Sequence, residues 1–263
     1  MAWISSKRTG LAILGCASGL IAGQAVAGDW IVTIGVRPQA AAPYEGADHD
    51  TVLPVPSFAM RRAGQPERLA APDDSYGAAL LSWRWISAGP ALRLRGSRDD
   101  LGKRAGLRRI DTAFEPGLFV NLWPTDWLRI HGEERKGVAG HHGWVGDAAF
   151  DLVAQKGPWT GSIGPRLGWG DRRYMNTYFG VTPAEAAANT LVGAAYAPDG
   201  GMRYVGATGT LAYRFDAHWQ ANANAGVHRL ADAGGDSPIV RTVGDRTEAY
   251  GGIGVKYTFE WTR

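Results

Sequence analysis

The sequence predicts an all-β protein: a transmembrane antiparallel β-barrel of about twelve strands, or ten if one hairpin is lost, with short periplasmic turns and long outer loops. Three observations predict it. Segments alternate apolar and polar residues with period two, short and long connections alternate along the chain, and tryptophans gather beside the short ones.

The first element is not part of the barrel. Lys7 and Arg8 precede an uncharged apolar run from Leu11 to about Ala22, which ends in Ala25-Val26-Ala27. This is the three-part pattern of a secretory signal peptide. Cleavage is expected between Ala27 and Gly28, leaving residues 28–263 as one outer-membrane barrel domain. The run is short for an anchor, since a spanning helix needs about 20 apolar residues. The one cysteine, Cys16, lies inside this signal, where Ile13-Leu14-Gly15-Cys16 fits a lipobox poorly at Leu14. The mature chain then has no disulfide, thiol nucleophile or thiolate metal site. Loss of Lys7 and Arg8 lowers the basic residues from 28 to 26 against 25 acidic ones. The basic balance therefore belongs partly to the signal, and no nucleic-acid partner is implied.

Trp30 opens a first strand at 30–37, and a second follows at 52–61. The third, at 66–71, is the least patterned. Strands at 76–86 and 89–97 flank a turn near Ser87-Ala88, and those at 110–122 and 126–135 flank Pro124-Thr125. Strands 144–155 and 159–170 flank Gly157-Pro158; in the second, Trp159, Ile163 and Leu167 oppose Thr160, Ser162 and Arg166. In 203–215, Val205, Ala207, Leu211, Tyr213 and Phe215 alternate with Gly206, Thr208, Thr210, Ala212 and Arg214. Strand 218–230 repeats this after Asp216-Ala217. Strand 248–259 sets Ile253, Val255, Tyr257 and Phe259 against Gly254, Lys256 and Thr258. Period two gives each strand one apolar and one polar face.

Long polar connections fall near 38–50, 98–109, 135–142, 171–202 and 231–246. In the longest, Thr182, Pro183 and Glu185 make a capping box for a short helix. Trp83, Trp85, Trp123, Trp127, Trp159 and Trp219 flank short turns, with Trp30 and Trp261 at the chain ends. With both termini periplasmic, these share the inner membrane interface, where an amphipathic ring sits well. The inward face would carry Arg84, Arg93, Arg95, Arg129, Glu133, Asp147, Asp151, Arg166, Arg214 and Lys256. Such groups either pair and plug the lumen or line a narrow channel.

Gly164-Pro165-Arg166-Leu167 followed by Asp171 to Val181, and Arg229-Leu230 followed by Gly235-Asp236-Ser237-Pro238-Ile239-Val240, resemble the signature of the MltA-interacting protein (MipA/OmpV) family. Pro43-Tyr44-Glu45-Gly46 and Gly140-His141-His142-Gly143 also match its habits. The resemblance implies an outer-membrane barrel of a Gram-negative bacterium. It implies a structural or scaffolding role between a lytic transglycosylase and a murein synthase, or else a small porin-like channel or a surface adhesin. Membrane lipid and the barrel-assembly machinery are the other implied partners. One departure is the tail: Phe259 is followed by Glu260-Trp261-Thr262-Arg263, whereas such barrels usually end on an aromatic residue.

The candidate functional residues are Asp171, Arg172, Tyr174, Tyr178 and Phe179 with Asp236, Ser237 and Pro238. These two segments are expected to fold together over the barrel mouth, with Asp171, Arg172 and Arg173 pairing to Asp236, Arg241 or lumen charges, and the aromatic residues packing as a plug. No enzyme site is expected. Asp99-Asp100 and His141-His142 could form an aspartate–histidine site only if the loops joined them. Ser237 and His228 lack a nucleophile elbow. Adjacent histidines alone do not make a metal site. No cofactor is implied.

Overall fold

The computed structural model describes residues 30–99, 106–188 and 191–262. The expected signal peptide with its Ala27/Gly28 cut, Cys16 and Asp100 lie outside the described residues.

Twelve strands form one antiparallel sheet: β1 (Trp30–Ala41), β2 (Thr51–Arg62), β3 (Tyr76–Gly77), β4 (Leu81–Trp83), β5 (Ile86–Arg95), β6 (Ala113–Thr125), β7 (Leu128–Lys136), β8 (Trp144–Lys156), β9 (Trp159–Gly170), β10 (Gly201–Arg214), β11 (Trp219–Leu230) and β12 (Thr247–Trp261). The order around the wall is β2-β1-β12-β11-β10-β9-β8-β7-β6-β5-β3, with β4 also on β5. Pairing of β1 with β12 brings the chain ends together, Trp30 opposite Trp261. No helix among the described residues is long and apolar enough to span a membrane. The strands span instead.

The apolar faces point outward. Leu118, Leu152, Ile163, Leu211 and Ile253 each leave half or more of their surface uncovered. So large an apolar belt is stable only against hydrocarbon. Trp83, Trp85, Trp127, Trp159 and Trp219 stand exposed at the short-turn end as expected. Trp123 does not. It turns into the lumen, is buried, and lies under the Arg68 guanidinium at 5.0 Å.

Neighbouring strands touch too closely in places for any side chain. A Cβ at Gly164 would collide with the Phe150 carbonyl across the β8–β9 ladder. Gly164→Ala is expected to lower stability by about 1–3 kcal/mol, the usual cost of overpacking, read as the urea midpoint of the detergent-folded barrel. The turn glycines Gly64 and Gly157 have φ of +83° and +58°, the left-handed region in which other residues are strained.

The expected strand at 66–71 is not a strand. After Arg62 the chain leaves the wall, and residues 65–75 run through the lumen. Asp73 reaches Arg166 on β9 at 2.6 Å, and Asp74 reaches Arg129 on β7 at 2.6 Å. The expected strand at 76–86 is broken into β3 and β4, and the turn sits at Arg84-Trp85 rather than Ser87-Ala88, because Ser87 and Ala88 pair with Ser82 and Leu81. β3 and β4 together make one pass, so the twelve strands make eleven passes through the wall. The internal segment is the twelfth pass, which keeps the chain's up-and-down alternation. An odd number of wall passes leaves β2 and β3 running in the same direction. They lie side by side, but no ladder joins them. The barrel is nearly closed, with one seam.

Two more expectations change. The last strand continues through Glu260 to Trp261, so the apparent tail belongs to the wall and the strand itself ends on an aromatic residue. Arg84 lies exposed in a turn, not in the lumen, and Arg214 pairs with Glu67 at 2.6 Å where both are about half exposed.

Candidate functional site: the barrel mouth and its ion network

The long-loop end carries four short helices: α1 (Arg172–Phe179), α2 (Pro183–Ala188), α3 (Asp232–Gly235) and α4 (Pro238–Val243). Each start follows from sequence. Asp171 caps α1 by accepting from the Tyr174 amide at 2.8 Å. The Thr182–Glu185 capping box forms at α2. Ser237 caps α4, with Pro238 in its first turn.

The end of α1 is held from outside. The last carbonyls of a helix lack partners within it. Here Arg98 donates to the Tyr178 carbonyl at 2.5 Å, Ser237 Oγ to Phe179 at 2.6 Å and Arg108 to Gly180 at 2.8 Å. Two separate loops thus converge on one helix end, and two of the three donors are cations, which the helix dipole favours there. Tyr174, Met175, Tyr178 and Phe179 are fully buried beneath, packed with Val145, Tyr204, Leu230 and Val240.

The structure therefore brings Asp171, Tyr174, Tyr178, Phe179, Ser237 and Pro238 into one cluster. Arg172 and Asp236 stay at its surface. Arg172 faces Asp199 at 3.6 Å, and Asp236 pairs with Arg241 at 2.8 Å, all well exposed. Such pairs contribute little. The cross-pairing expected of Asp171 and Arg172 does not form, because the first is used as a helix cap and the second points outward.

Under the lid lies an ion network. Arg95 binds Glu45 and Glu115, each at 2.8 Å. Arg135 contacts Glu115 at 3.1 Å, Asp147 at 2.5 Å, and Glu133. Arg203 contacts Glu45, and Asp147 at 2.5 Å; Arg93 contacts Glu133 at 2.9 Å. The four arginines Arg93, Arg95, Arg135 and Arg203 thus face four carboxylates, and each charge is met. A second group sits deeper, where Arg129 and Arg166 share Asp151, each at 2.8 Å, and hold Asp74 and Asp73 of the internal segment.

Glu45 links lid to network. The Tyr174 hydroxyl donates to it at 2.9 Å, and the Arg95 and Arg203 guanidinium groups lie within 5.3 Å of the Tyr174 ring centroid. Burial pushes the Glu45 carboxyl up, but Arg203, Arg95 and the Tyr174 hydroxyl pull it down further, so the net shift is below the usual range. A lowered folded value means the ionised form is the one stabilised. Its contribution is complete above the unfolded value of about 4.3 and is lost only as pH falls through the lower folded one. Protease resistance of the 171–199 loop is thus expected to hold from pH 7 to about pH 5 and to fail only in stronger acid. Failure already near pH 6 would contradict the Glu45 assignment.

The described residues weighed for an enzyme site have other partners. His141 is buried against Glu115 at 2.9 Å and meets Tyr174 edge-on at 4.9 Å, while Asp99 faces Arg109 at 3.8 Å. His228 stacks on Tyr204 at 4.1 Å, and Ser237 is spent on Phe179. No cluster of metal-ligating side chains is present among the described residues. Sequence reasoning missed Glu45, Asp73, Glu115, Arg135 and Arg203 as site residues. Glu45 sat in a motif and Asp73 between two expected strands; only three-dimensional proximity joins them.

Comparison with known proteins places the chain. No curated protein matches it in sequence. Among solved structures it is similar to Neisserial surface protein A (9% identity, 88% of this chain and 99% of that one, TM-score 0.30). It is also similar to Ail, the attachment invasion locus protein of Yersinia pestis (9%, 88% and 99%, 0.25), and to the CymD monoaromatic hydrocarbon channel (10%, 90% and 89%, 0.36). Residues 34–259 match the family described as MltA-interacting protein MipA. That span runs from the first strand to the last and takes in lid, network and internal segment, so this outer-membrane-type barrel belongs to the MltA-interacting protein MipA family.

Proposed function

We propose that the protein is a sealed scaffold in the outer membrane of a Gram-negative bacterium, exported by its cleaved signal, which offers its short-turn end to murein-processing enzymes. One observation carries this reading: the outer part of the lumen is plugged by the lid and the ion network. The lid, the eight-charge network and the internal segment stack across the barrel's bore, and small barrels are often filled in this way. A chain selected to conduct would keep a continuous wet path. The family's description supports a lytic transglycosylase as partner. At the short-turn end, a recess of about 360 Å³ opens between Glu67, Arg68, Trp83, Trp123, Arg214 and His218 and runs into the lumen as far as Arg37, Asn224 and Lys256. It supplies the relief that short turns alone would lack.

The test has two arms. The purified barrel in a planar bilayer is expected to show no resolved conductance steps at 1 M salt. Immobilised barrel is expected to retain a purified lytic transglycosylase, and Glu67→Arg with Trp83→Ala to reduce that retention. Regular conductance steps from the native protein would favour the channel reading instead. Retention that the two substitutions leave unchanged would remove the recess from the account.

A further inference from the structure

The seam between β2 and the edge formed by β3 on β5 is written into the sequence. Pairing of β1 with β2 runs unbroken through Pro38 opposite Pro54, whereas pairing of β1 with β12 lapses between Val36↔Val255 and Gln39↔Gly252. Proline has no amide hydrogen to give a ladder. The proline pair is therefore of the non-hydrogen-bonded kind, in which both amide positions point away from the shared ladder. The missing donor of Pro38 faces β12, and that of Pro54 faces the seam. Pro56 has the same parity as Pro54, so its missing donor faces the seam as well. Half of the outer stretch of β2 thus has no hydrogen to offer a strand across the gap. An incoming strand from a partner would find the same blunted edge.

Behind this seam lies a cavity of about 370 Å³, bordered by Val55 and Ser57 of β2 and Leu92 and Leu94 of β5, with Arg37 and Lys256 at its inner wall. Outside it, Val52, Phe58 and Leu94 are exposed on the outer face. The two cations differ from the arginines of the ion network, each of which meets a carboxylate. Arg37 donates only to Gln39 Oε1 at 3.1 Å and the Pro72 carbonyl at 3.0 Å. Lys256 makes no ion pair or hydrogen bond with any described residue. The carboxylates that act on them at longer range, Asp73, Asp74 and Glu67, are engaged by Arg166, Arg129 and Arg214. Gly35 makes the approach possible: a Cβ there would press on the Lys256 stem at 2.9 Å and on Ser57 Oγ at 2.6 Å. The lysine chain therefore lies across β1 toward β2.

We propose that the seam is a lateral portal and that Arg37 and Lys256 bind the headgroup of a single-chain anionic amphiphile, a long-chain carboxylate, whose tail stays between β2 and the β3–β5 edge. Two cations without ion-pair partners, a pocket large enough for a headgroup and upper chain, and an apolar exit into the bilayer are complementary to a molecule with one charged end. The tail would also cover the unpaired strand edges that hydrocarbon cannot satisfy. The proposal is independent of any murein partner.

The experiment uses the full chain in phosphatidylcholine nanodiscs and radiolabelled palmitate, with empty nanodiscs as background. Saturable binding is expected, weakened at least tenfold by Arg37→Gln with Lys256→Met and unchanged by Arg109→Gln in an exposed loop. Hexadecanol, without the charge, and succinate, without the tail, should each fail to displace it. Absence of saturable binding, or equal affinity in the double variant, overturns the headgroup site. Displacement by succinate overturns lateral entry in favour of an aqueous anion pocket. Because the double variant could fold poorly, a palmitate carrying a mid-chain diazirine is also crosslinked to the native protein. Label confined to residues 51–62, 76–77 and 86–95 supports the portal, and label spread evenly over the wall overturns it.

Discussion

Replacing Arg135 with alanine is expected to destabilise the barrel by about 3–5 kcal/mol, the cost of stranding buried charge. Arg135 is fully buried and contacts Glu115, Glu133 and Asp147 at once. Its removal leaves three carboxylates with one fewer cation in a space closed by the lid. Arg95, Arg93 and Arg203 remain, but each is already paired. The measurement is the urea midpoint of the detergent-folded protein, followed by heat-dependent gel mobility. Arg109→Ala is the control: its pair with Asp111 at 2.9 Å is exposed on both sides, so the change should stay within about 0.5 kcal/mol. A loss below 1 kcal/mol for Arg135→Ala would show that water reaches the network freely, and the sealed lumen would go with it.

Phe179→Ala is expected to free the lid. The ring is fully buried in the cluster under α1, and truncating a buried aromatic costs about 3–5 kcal/mol. The loss falls on a local element rather than on the wall, since the lid's other ties are the buried Tyr174, Met175 and Tyr178, loop hydrogen bonds and the Tyr174–Glu45 contact. Protease cleavage within 171–199 should then accelerate about a hundredfold, the equivalent of roughly 3 kcal/mol of local opening. Heat resistance of the strands should barely change. Equal losses in lid and wall would mean that the lid is a structural part of the barrel rather than a cover on it.

The wall was legible in the sequence because period-two alternation is a local property. Every strand from β5 to β12 lies near its expected span. The capping boxes and proline positions of α2 and α4 were legible for the same reason. The internal segment was not. Residues 66–71 are polar with scattered apolar positions, as a weak edge strand would be, and nothing local says that Asp73 will meet Arg166. The network was half legible. Inward charges at Arg93, Arg95, Glu133, Asp147, Asp151 and Arg166 follow from strand parity, but Glu45 and Arg203 come from loop and strand edge. At the mouth, the aromatic run 174–179 announced a packed element. Its anchoring by Arg98, Arg108 and Ser237 depends on loops meeting in space.

The internal segment has a kinetic consequence. Its anchors pair Asp73 with Arg166 and with Thr208, and bring Tyr250 to the same carboxylate. These partners lie on β9, β10 and β12, so the segment cannot be seated until most of the chain has been laid down. Contacts of such long sequence separation form late and slowly. The half-built barrel must therefore pass through a stage with a hollow bore and a free, carboxylate-bearing strap, and filling that bore is the committing step of assembly.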